Sequence, residues 1–223
     1  AWRGGAAQGG AAESCPDAEV LGWAALRSNF ERSGGELTVQ ARHLSARSLR
    51  CRADGLGRVR ELLLRSDEGC AVARLWREQG VGAMRATSWQ PLGPDGGPMV
   101  RLLHFDLPLK PRPFAPPRTR FSIVYCLSGD LAGGGRLLLS EMSRSFDAPC
   151  SFTVQCQSAF VAKLPPGHDD AVIQVESCLA VEWEKFSFGL GTIVESEARR
   201  EGEESRANLL RLLGEDLQAA GCC

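Results

Sequence analysis

The feature that most constrains the fold is a change of hydrophobic period within Ala171–Leu217. The first half alternates apolar and polar residues from Ile173 to Trp183, and this period of two predicts a strand with one buried face. After Gly189 and Gly191 the period lengthens to between three and four, which predicts a helix of about 28 residues and about 40 Å. Its apolar stripe consists of Leu190, Val194, Ala198, Gly202, Ser205, Leu209, Leu213 and Leu217.

The middle of this stripe is small, whereas both of its ends are bulky. Ala198, Gly202 and Ser205 occupy positions where a helix that seals a sheet normally carries large apolar side chains. Two explanations remain open at this point. The small residues leave room for a bound guest molecule, or they let the helix approach its sheet closely.

Length and composition predict one folded domain of ordinary globular type. The chain has 223 residues, of which 43% are hydrophobic and 24% are charged. The net charge of -1 gives no electrostatic reason to expect a nucleic-acid partner, and no apolar run is long enough for a transmembrane helix. We predict a lead-in over 1–44 that is partly disordered or a short helix, a folded domain over 45–219, and a tail over 220–223. Because the chain opens at Ala1 without Met, we expect a segment of a longer protein.

The nine cysteines predict neither a zinc site nor a disulfide framework. No CxxC pair occurs, and His43, His104 and His168 are far apart in sequence. An odd number of cysteines without framework spacing favours reduced thiols, as in cytosolic proteins. The final pair Cys222-Cys223 fits either a prenylated tail or a fragment boundary, and the boundary is favoured.

Between two short helices and the closing helix, the chain is predicted to be almost entirely strand. The helices are predicted at Arg58–Ser66 and Cys70–Gln79. The strands are predicted at Met84–Gln90, Met99–Leu107, Arg118–Ser128, Arg136–Phe146, Ser151–Leu164 and Ala171–Phe186. Long consecutive antiparallel strands form a curved meander, and the closing helix can bury its stripe only across the concave face. The predicted fold class is therefore α+β.

A proline-rich segment, Leu107–Arg118, interrupts the meander. Its five prolines exclude a central strand or a helix interior. A stiff apolar loop of this kind suits a lid carrying Leu109, Pro111 and Phe114, and a rigid connector is the alternative.

Catalytic chemistry is not predicted. The glycine-rich loop Gly129–Gly135 lacks the Lys-Ser/Thr of a phosphate-binding loop, and no nucleophile-elbow sequence occurs. His168-Asp169-Asp170, the nearest approach to a metal cluster, lies in a Pro-Gly hairpin and is predicted to be a solvated turn. We therefore expect no catalytic residue, no metal site and no cofactor.

The order of these elements resembles the START-like helix-grip domains. Three local features are Tyr125-Cys126-Leu127, Ser143-Arg-Ser-Phe-Asp-Ala-Pro-Cys-Ser-Phe152, and Val181-Glu-Trp-Glu-Lys-Phe186 before a Glu-rich helix. They make residues 45–217 similar to VASt domains, the START-like sterol-binding modules of GRAM-domain proteins. The resemblance implies a lipid cavity between sheet and closing helix, with Leu107–Arg118 as its lid. It further implies lipid transfer, transient contact with a membrane surface, and a cytoplasmic location at endoplasmic reticulum contact sites through segments outside this chain.

An apolar pocket of this type needs little beyond apolar walls and one or two polar anchors. The predicted ligand-binding residues are Phe121, Ile123, Tyr125, Phe152, Val154, Cys156, Leu179, Val181, Val194, Ala198 and Gly202. Tyr125 is the only tyrosine, and its hydroxyl is a candidate partner for a sterol hydroxyl. Each of these residues fits plain core packing as well. Two alternatives therefore stay open: a START-like interaction or regulatory module with a filled cavity, and a START-like enzyme such as a cyclase or hydrolase.

Overall fold

The computed structural model of the chain describes residues 42–91, 97–108, 118–132, 135–145, 152–165, 169–183 and 190–223. The strands of this part are β1 (Arg42–His43), β2 (Arg47–Arg52), β3 (Met84–Ala86), β4 (Gln90–Pro91), β5 (Met99–Pro108), β6 (Arg118–Gly129), β7 (Arg136–Ser145), β8 (Phe152–Lys163) and β9 (Asp170–Trp183). The helices are α1 (Leu56–Leu64), α2 (Ala71–Glu78) and α3 (Leu190–Ala219), with a 3₁₀ turn at Ala53–Gly55 before α1.

All the strands belong to one antiparallel sheet. Its order is β1-β9-β8-β7-β6-β5-β3, with β2 also paired to β9 and β4 also paired to β5. The five long strands β5 to β9 are therefore neighbours in chain order, and this is the predicted meander. Because directly opposed residues in antiparallel strands share a face, the registers bring Tyr125, Glu141, Cys156 and Leu179 into one row across β6, β7, β8 and β9. We call these four residues the central row.

The predicted α+β, START-like helix-grip architecture is confirmed. Two short helices precede the meander, and a 30-residue helix follows it and packs against the sheet. One predicted element differs: Met84–Gln90 forms two short strands rather than one. The first strand ends at Ala86. At the next residue the side chain of Thr87 takes the place of a backbone acceptor, because its Oγ1 accepts the Leu102 N–H at 3.0 Å.

The largest core lies between one face of the sheet and all three helices, and we call this face the helix face. Its strands contribute Leu103, Phe105, Ile123, Leu127, Leu137, Leu139, Phe160, Ile173 and Val175, and its helices contribute Val59, Leu63, Leu75, Trp76, Leu209, Leu213 and Leu217. All of these side chains are buried. Since a fully buried Leu, Ile or Phe contributes about 1.5–3 kcal/mol, this core holds the helices on the sheet.

A second, smaller apolar group lies on the same strands, and we call it the small cluster. Its buried members are Leu44, Cys156 and Leu179, and the partly buried Val154, Val181 and Ala198 pack against them. The small cluster contacts the N-terminal half of α3, whereas the main core contacts the C-terminal half. The helix face therefore has two apolar regions.

Arg101 on β5 is a buried charged residue that fixes the end of α1. Its side chain is on the helix face, and its guanidinium donates from Nε to Thr87 O at 3.0 Å and from Nη1 to Arg65 O at 3.2 Å. Nη2 donates to Ser66 O at 3.4 Å. The carbonyls of Arg65 and Ser66 follow the last turn of α1, and that of Thr87 follows β3. One side chain therefore provides donors for carbonyls that the helix and the sheet do not pair.

The end of the chain is hydrogen-bonded to the end of β2. The Arg52 N–H donates to Cys222 O at 2.7 Å. A Cβ atom added to Gly55 would lie 2.7 Å from the Cβ of Cys222, so this contact requires glycine at 55. The described part of the chain begins at Arg42, so the predicted domain boundary at residue 45 stays a prediction. The predicted lead-in up to residue 41 lies outside the described residues.

Candidate functional site

The predicted pocket residues separate into two sets on the helix face. Ile123 and Tyr125 belong to the main core, with Phe121 packed against it. Val154, Cys156, Leu179, Val181 and Ala198 come together in the small cluster. The side chains of Phe152 and Val194 and the predicted lid residues Leu109, Pro111 and Phe114 lie outside the described residues. Their roles stay predictions.

An ion pair lies between these two sets. In the central row, Glu141 is placed between Tyr125 of the main core and Cys156 of the small cluster. Arg206 reaches this row from α3, and its Nη2 donates to Oε2 of Glu141. The Arg206 and Glu141 side chains are only 6% and 11% exposed. A buried pair of this kind is a weak source of stability, so its presence between two apolar regions requires another explanation.

Arg206 stays charged in this position. Burial lowers its pKa, but the negative charge of Glu141 and the hydrogen bond to it raise it, and the net shift is upward. The site therefore holds a permanent cation, and Glu141 supplies the charge that balances it.

Tyr125 connects the ion pair to α2. Its hydroxyl accepts the Trp76 Nε1–H at 3.1 Å, and the Trp76 ring packs on Phe105 with their centroids 4.7 Å apart. Burial, followed by the charge of Glu141 and a hydrogen bond to it, raises the pKa of Tyr125 well above its usual value. The hydroxyl is therefore neutral, and Glu141 lies directly opposite Tyr125 on the neighbouring strand. A polar chain thus runs from Trp76 through Tyr125 and Glu141 to Arg206.

Arg206 has two hydrogen-bond donors that its contact with Glu141 does not use. Its Nε and Nη1 atoms are buried and have no hydrogen-bond partner among the described residues. An unpaired buried donor costs about 1–3 kcal/mol, so most such groups in proteins have a partner. Two spare donors on one guanidinium make Arg206 the polar group of this site that is able to bind a further ligand atom.

The hydroxyls nearby on the helix face are already paired. The Oγ atoms of Ser158 and Ser177 lie 2.8 Å apart and are buried. Ser143 donates from Oγ to Val154 O at 3.4 Å. The hydroxyls of these serines are therefore already satisfied within the sheet, whereas two donors of Arg206 are not.

The small residues of α3 have separate structural roles. A Cβ atom on Gly202 would lie 2.8 Å from Cδ1 of Leu179, so the helix approaches the sheet closely at this position. Ser205 contacts α2 instead, where its Oγ accepts Gln79 Nε2–H at 2.9 Å. Of the two explanations for the small middle of the stripe, close approach accounts for Gly202. Ala198 is partly buried beside the small cluster.

Sequence reasoning missed Glu141 and Arg206, although a signal for both is present. Glu141 follows Leu137 and Leu139 at the same period of two, so the alternation places it on the buried face of β7. Arg206 lies four residues after Gly202 and three before Leu209, on the apolar stripe of α3. Charged residues at two positions that the pattern assigns to the core are unusual, and they mark this site.

Other site types find no support in the described part of the chain. No group of three or more His, Cys, Asp or Glu side chains there could hold a metal ion. Among the helices described, none is both long and apolar enough to cross a membrane.

The chain matches no family model and no curated protein. Several solved structures resemble it in fold. A conserved protein from Geobacillus kaustophilus has 8% sequence identity and a TM-score of 0.42, and the match covers 78% of this chain and 93% of that chain. A protein from Thermus thermophilus has 12% sequence identity and a TM-score of 0.37, and the match covers 80% of this chain and 99% of that chain. A START superfamily protein from Mycobacterium smegmatis has 13% sequence identity and a TM-score of 0.35, and the match covers 80% of this chain and 99% of that chain. These values concern the fold alone, and no function is transferred from them.

Proposed function

We propose that this chain binds a hydrophobic ligand, a sterol or a similar lipid, between the small cluster and the N-terminal half of α3. The observation that carries the proposal is the incomplete burial of Val154, Val181 and Ala198 around the buried Leu44, Cys156 and Leu179. Partly exposed apolar side chains that face a helix can gain burial from a ligand. Each 100 Å² of apolar surface removed from water contributes roughly 2.5 kcal/mol.

The finer functional proposal follows the resemblance to VASt domains. The ligand would be a sterol, and the domain would transfer it between membranes after transient contact with their surfaces. The proline-rich segment from Leu107 to Arg118 would act as the lid. No catalytic step is part of the proposal.

The test is binding of dehydroergosterol, measured by energy transfer from tryptophan, together with mass spectrometry of lipids extracted from the purified native protein. Ala198→Trp would occupy the space beside the small cluster, and we expect it to weaken sterol binding at least tenfold. Arg199→Trp adds the same ring at the adjacent exposed position of α3, so it is the matched control and should bind as the native protein does. A native protein that binds no sterol at micromolar concentration and co-purifies with no lipid would overturn the proposal.

The close contact at Gly202 favours a second candidate, an interaction or regulatory module whose interior is filled. Leu179 already occupies the space in front of Gly202. In that case Ala198→Trp would overpack the helix face and lower the free energy of unfolding by about 1–3 kcal/mol, and no lipid would bind to any variant. Urea unfolding of Ala198→Trp, combined with the lipid extraction, separates the two functions.

A further inference from the structure

We propose that Arg206 is the polar anchor of the ligand site, and that it selects an uncharged amphiphile carrying a hydroxyl or carbonyl oxygen. The inference rests on the proposed function, since it identifies the chemical class of the hydrophobic ligand. It starts from a cationic side chain that is 6% exposed and has two buried donors, Nε and Nη1, without a partner among the described residues.

The position of Arg206 on α3 places its guanidinium beside the proposed site. Arg206 lies one helical turn after Gly202, which packs on Leu179 of the small cluster, and two turns after Ala198. Cys156, the buried residue next to Glu141 in the central row, is close enough for its pKa to be lowered by the Arg206 charge against the larger effect of burial. A ligand that covers the small cluster would therefore meet the guanidinium at its inner end.

The charge balance of the site selects an uncharged oxygen. Glu141 already neutralises Arg206, so a ligand carboxylate would bring a second anion into a buried space that holds one cation. Removing an unbalanced charge from water is costly, whereas a hydroxyl or carbonyl oxygen can accept from Nε or Nη1 without changing the net charge.

Tyr125 does not compete with Arg206 for this role. Its oxygen accepts from Trp76, and the charge of Glu141 contributes to the raised pKa of the hydroxyl. Among the groups of this site, the donors without a partner in the described residues are Nε and Nη1 of Arg206. Glu141 pairs with Nη2 of the same guanidinium and so holds it in place.

The test uses three matched fluorescent probes that differ in one end group: decylpyrene, pyrenyldecanol and pyrenyldecanoate. Each is titrated into the native protein, into the double variant Glu141→Leu/Arg206→Met, and into Arg206→Lys. The double variant removes the charges together and leaves neither unpaired. Arg206→Lys keeps a cation opposite Glu141 but removes the planar fork, so it carries the comparison if the double variant does not fold. Arg211→Met, at an exposed position of the same helix, is the control.

We expect the native protein to bind pyrenyldecanol more tightly than pyrenyldecanoate. We expect both Arg206 variants to weaken pyrenyldecanol binding about tenfold and to leave decylpyrene binding within twofold, because only one charged hydrogen bond is lost. Equal binding of pyrenyldecanol by native and variant proteins would overturn the anchor while leaving hydrophobic binding intact. Tighter, Arg206-dependent binding of pyrenyldecanoate would overturn the uncharged class. Binding of none of the three probes would overturn the proposed function together with this inference.

Discussion

Nη2 of Arg206 in α3 donates to Oε2 of Glu141 in β7, across a separation of 65 residues in the chain. This bond joins the closing helix to the middle strand of the meander, between the main core and the small cluster. The polar chain through Tyr125 and Trp76 extends it to α2. Four separate elements are therefore positioned relative to one another by one buried polar network, in addition to their hydrophobic contacts.

Glu141→Leu should be strongly destabilising, because it leaves the buried guanidinium of Arg206 without its counter-charge. We expect a loss of about 3–5 kcal/mol in the free energy of unfolding, measured by urea denaturation at neutral pH. The double variant Glu141→Leu/Arg206→Met should recover most of this loss. Glu61→Gln breaks an exposed pair with Arg58 and should have little effect. A double variant as unstable as Glu141→Leu would contradict this account of the pair.

Tyr125→Phe should destabilise the fold by about 1–3 kcal/mol, because the buried Trp76 Nε1–H loses its acceptor. In a Trp76→Phe background the same substitution should cost less, since no indole N–H is then left unpaired. A double-mutant cycle in chemical denaturation measures this coupling. Strictly additive effects of the two substitutions would show that the 3.1 Å contact contributes nothing.

Arg101→Met should loosen the end of α1 by removing three hydrogen bonds to backbone carbonyls. We expect a loss of about 1–3 kcal/mol in stability and faster amide exchange around Arg65 and Thr87, because three partly buried hydrogen bonds are lost together. Arg101→Lys retains the charge but cannot reach three carbonyls with one ammonium, so its effect should be intermediate. Unchanged exchange in Arg101→Met would show that these bonds do not hold the helix end.

Stability should fall at alkaline pH, in part because of Cys156. Burial raises its pKa from 9.0 to about 11, whereas the charge of Arg206 lowers it by a smaller amount and Glu141 and Cys178 raise it slightly. The unfolded thiol ionises near pH 9 while the folded thiol stays neutral, so the contribution is complete below pH 9 and is lost as pH rises from about 9 to 11. It amounts to roughly 2–3 kcal/mol. Comparing native protein with Cys156→Ala at pH 8 and pH 10.5 isolates this contribution, and identical pH dependence would refute it.

The order and type of the elements were predictable from the sequence, because each has a clear period and clear ends. The strand-to-helix change after Trp183 and the alternation in Met99–Leu107 depend on local patterns that tertiary contacts do not override. The division at Thr87 was not predictable, because it depends on a hydrogen bond from Leu102, which lies in another strand.

The site was only partly predictable. Apolar positions such as Cys156 and Leu179 follow from alternation, and the structure brings them together. The pairing of Glu141 with Arg206 requires the register of β7 and the rotation of α3 about its axis, and neither is fixed by local sequence. Ser205 illustrates the dependence on helix rotation. It was predicted to lie on the apolar stripe, but its hydroxyl contacts Gln79, the residue that follows α2.

The two halves of α3 are attached to the rest of the protein by different forces. Leu209, Leu213 and Leu217 are at most 1% exposed and hold the C-terminal half in the main core. Among the described side chains of the N-terminal half, Ala198 packs only partly on the small cluster, Gly202 approaches Leu179 closely, and Oε1 of Glu203 accepts from the Ser45 amide at 2.8 Å and hydroxyl at 3.0 Å. Polar contacts near solvent exchange readily with water, whereas buried leucines do not. Local unfolding of the helix should therefore start at its N-terminal end. Raising the salt concentration should accelerate amide exchange there well before it affects the last three turns.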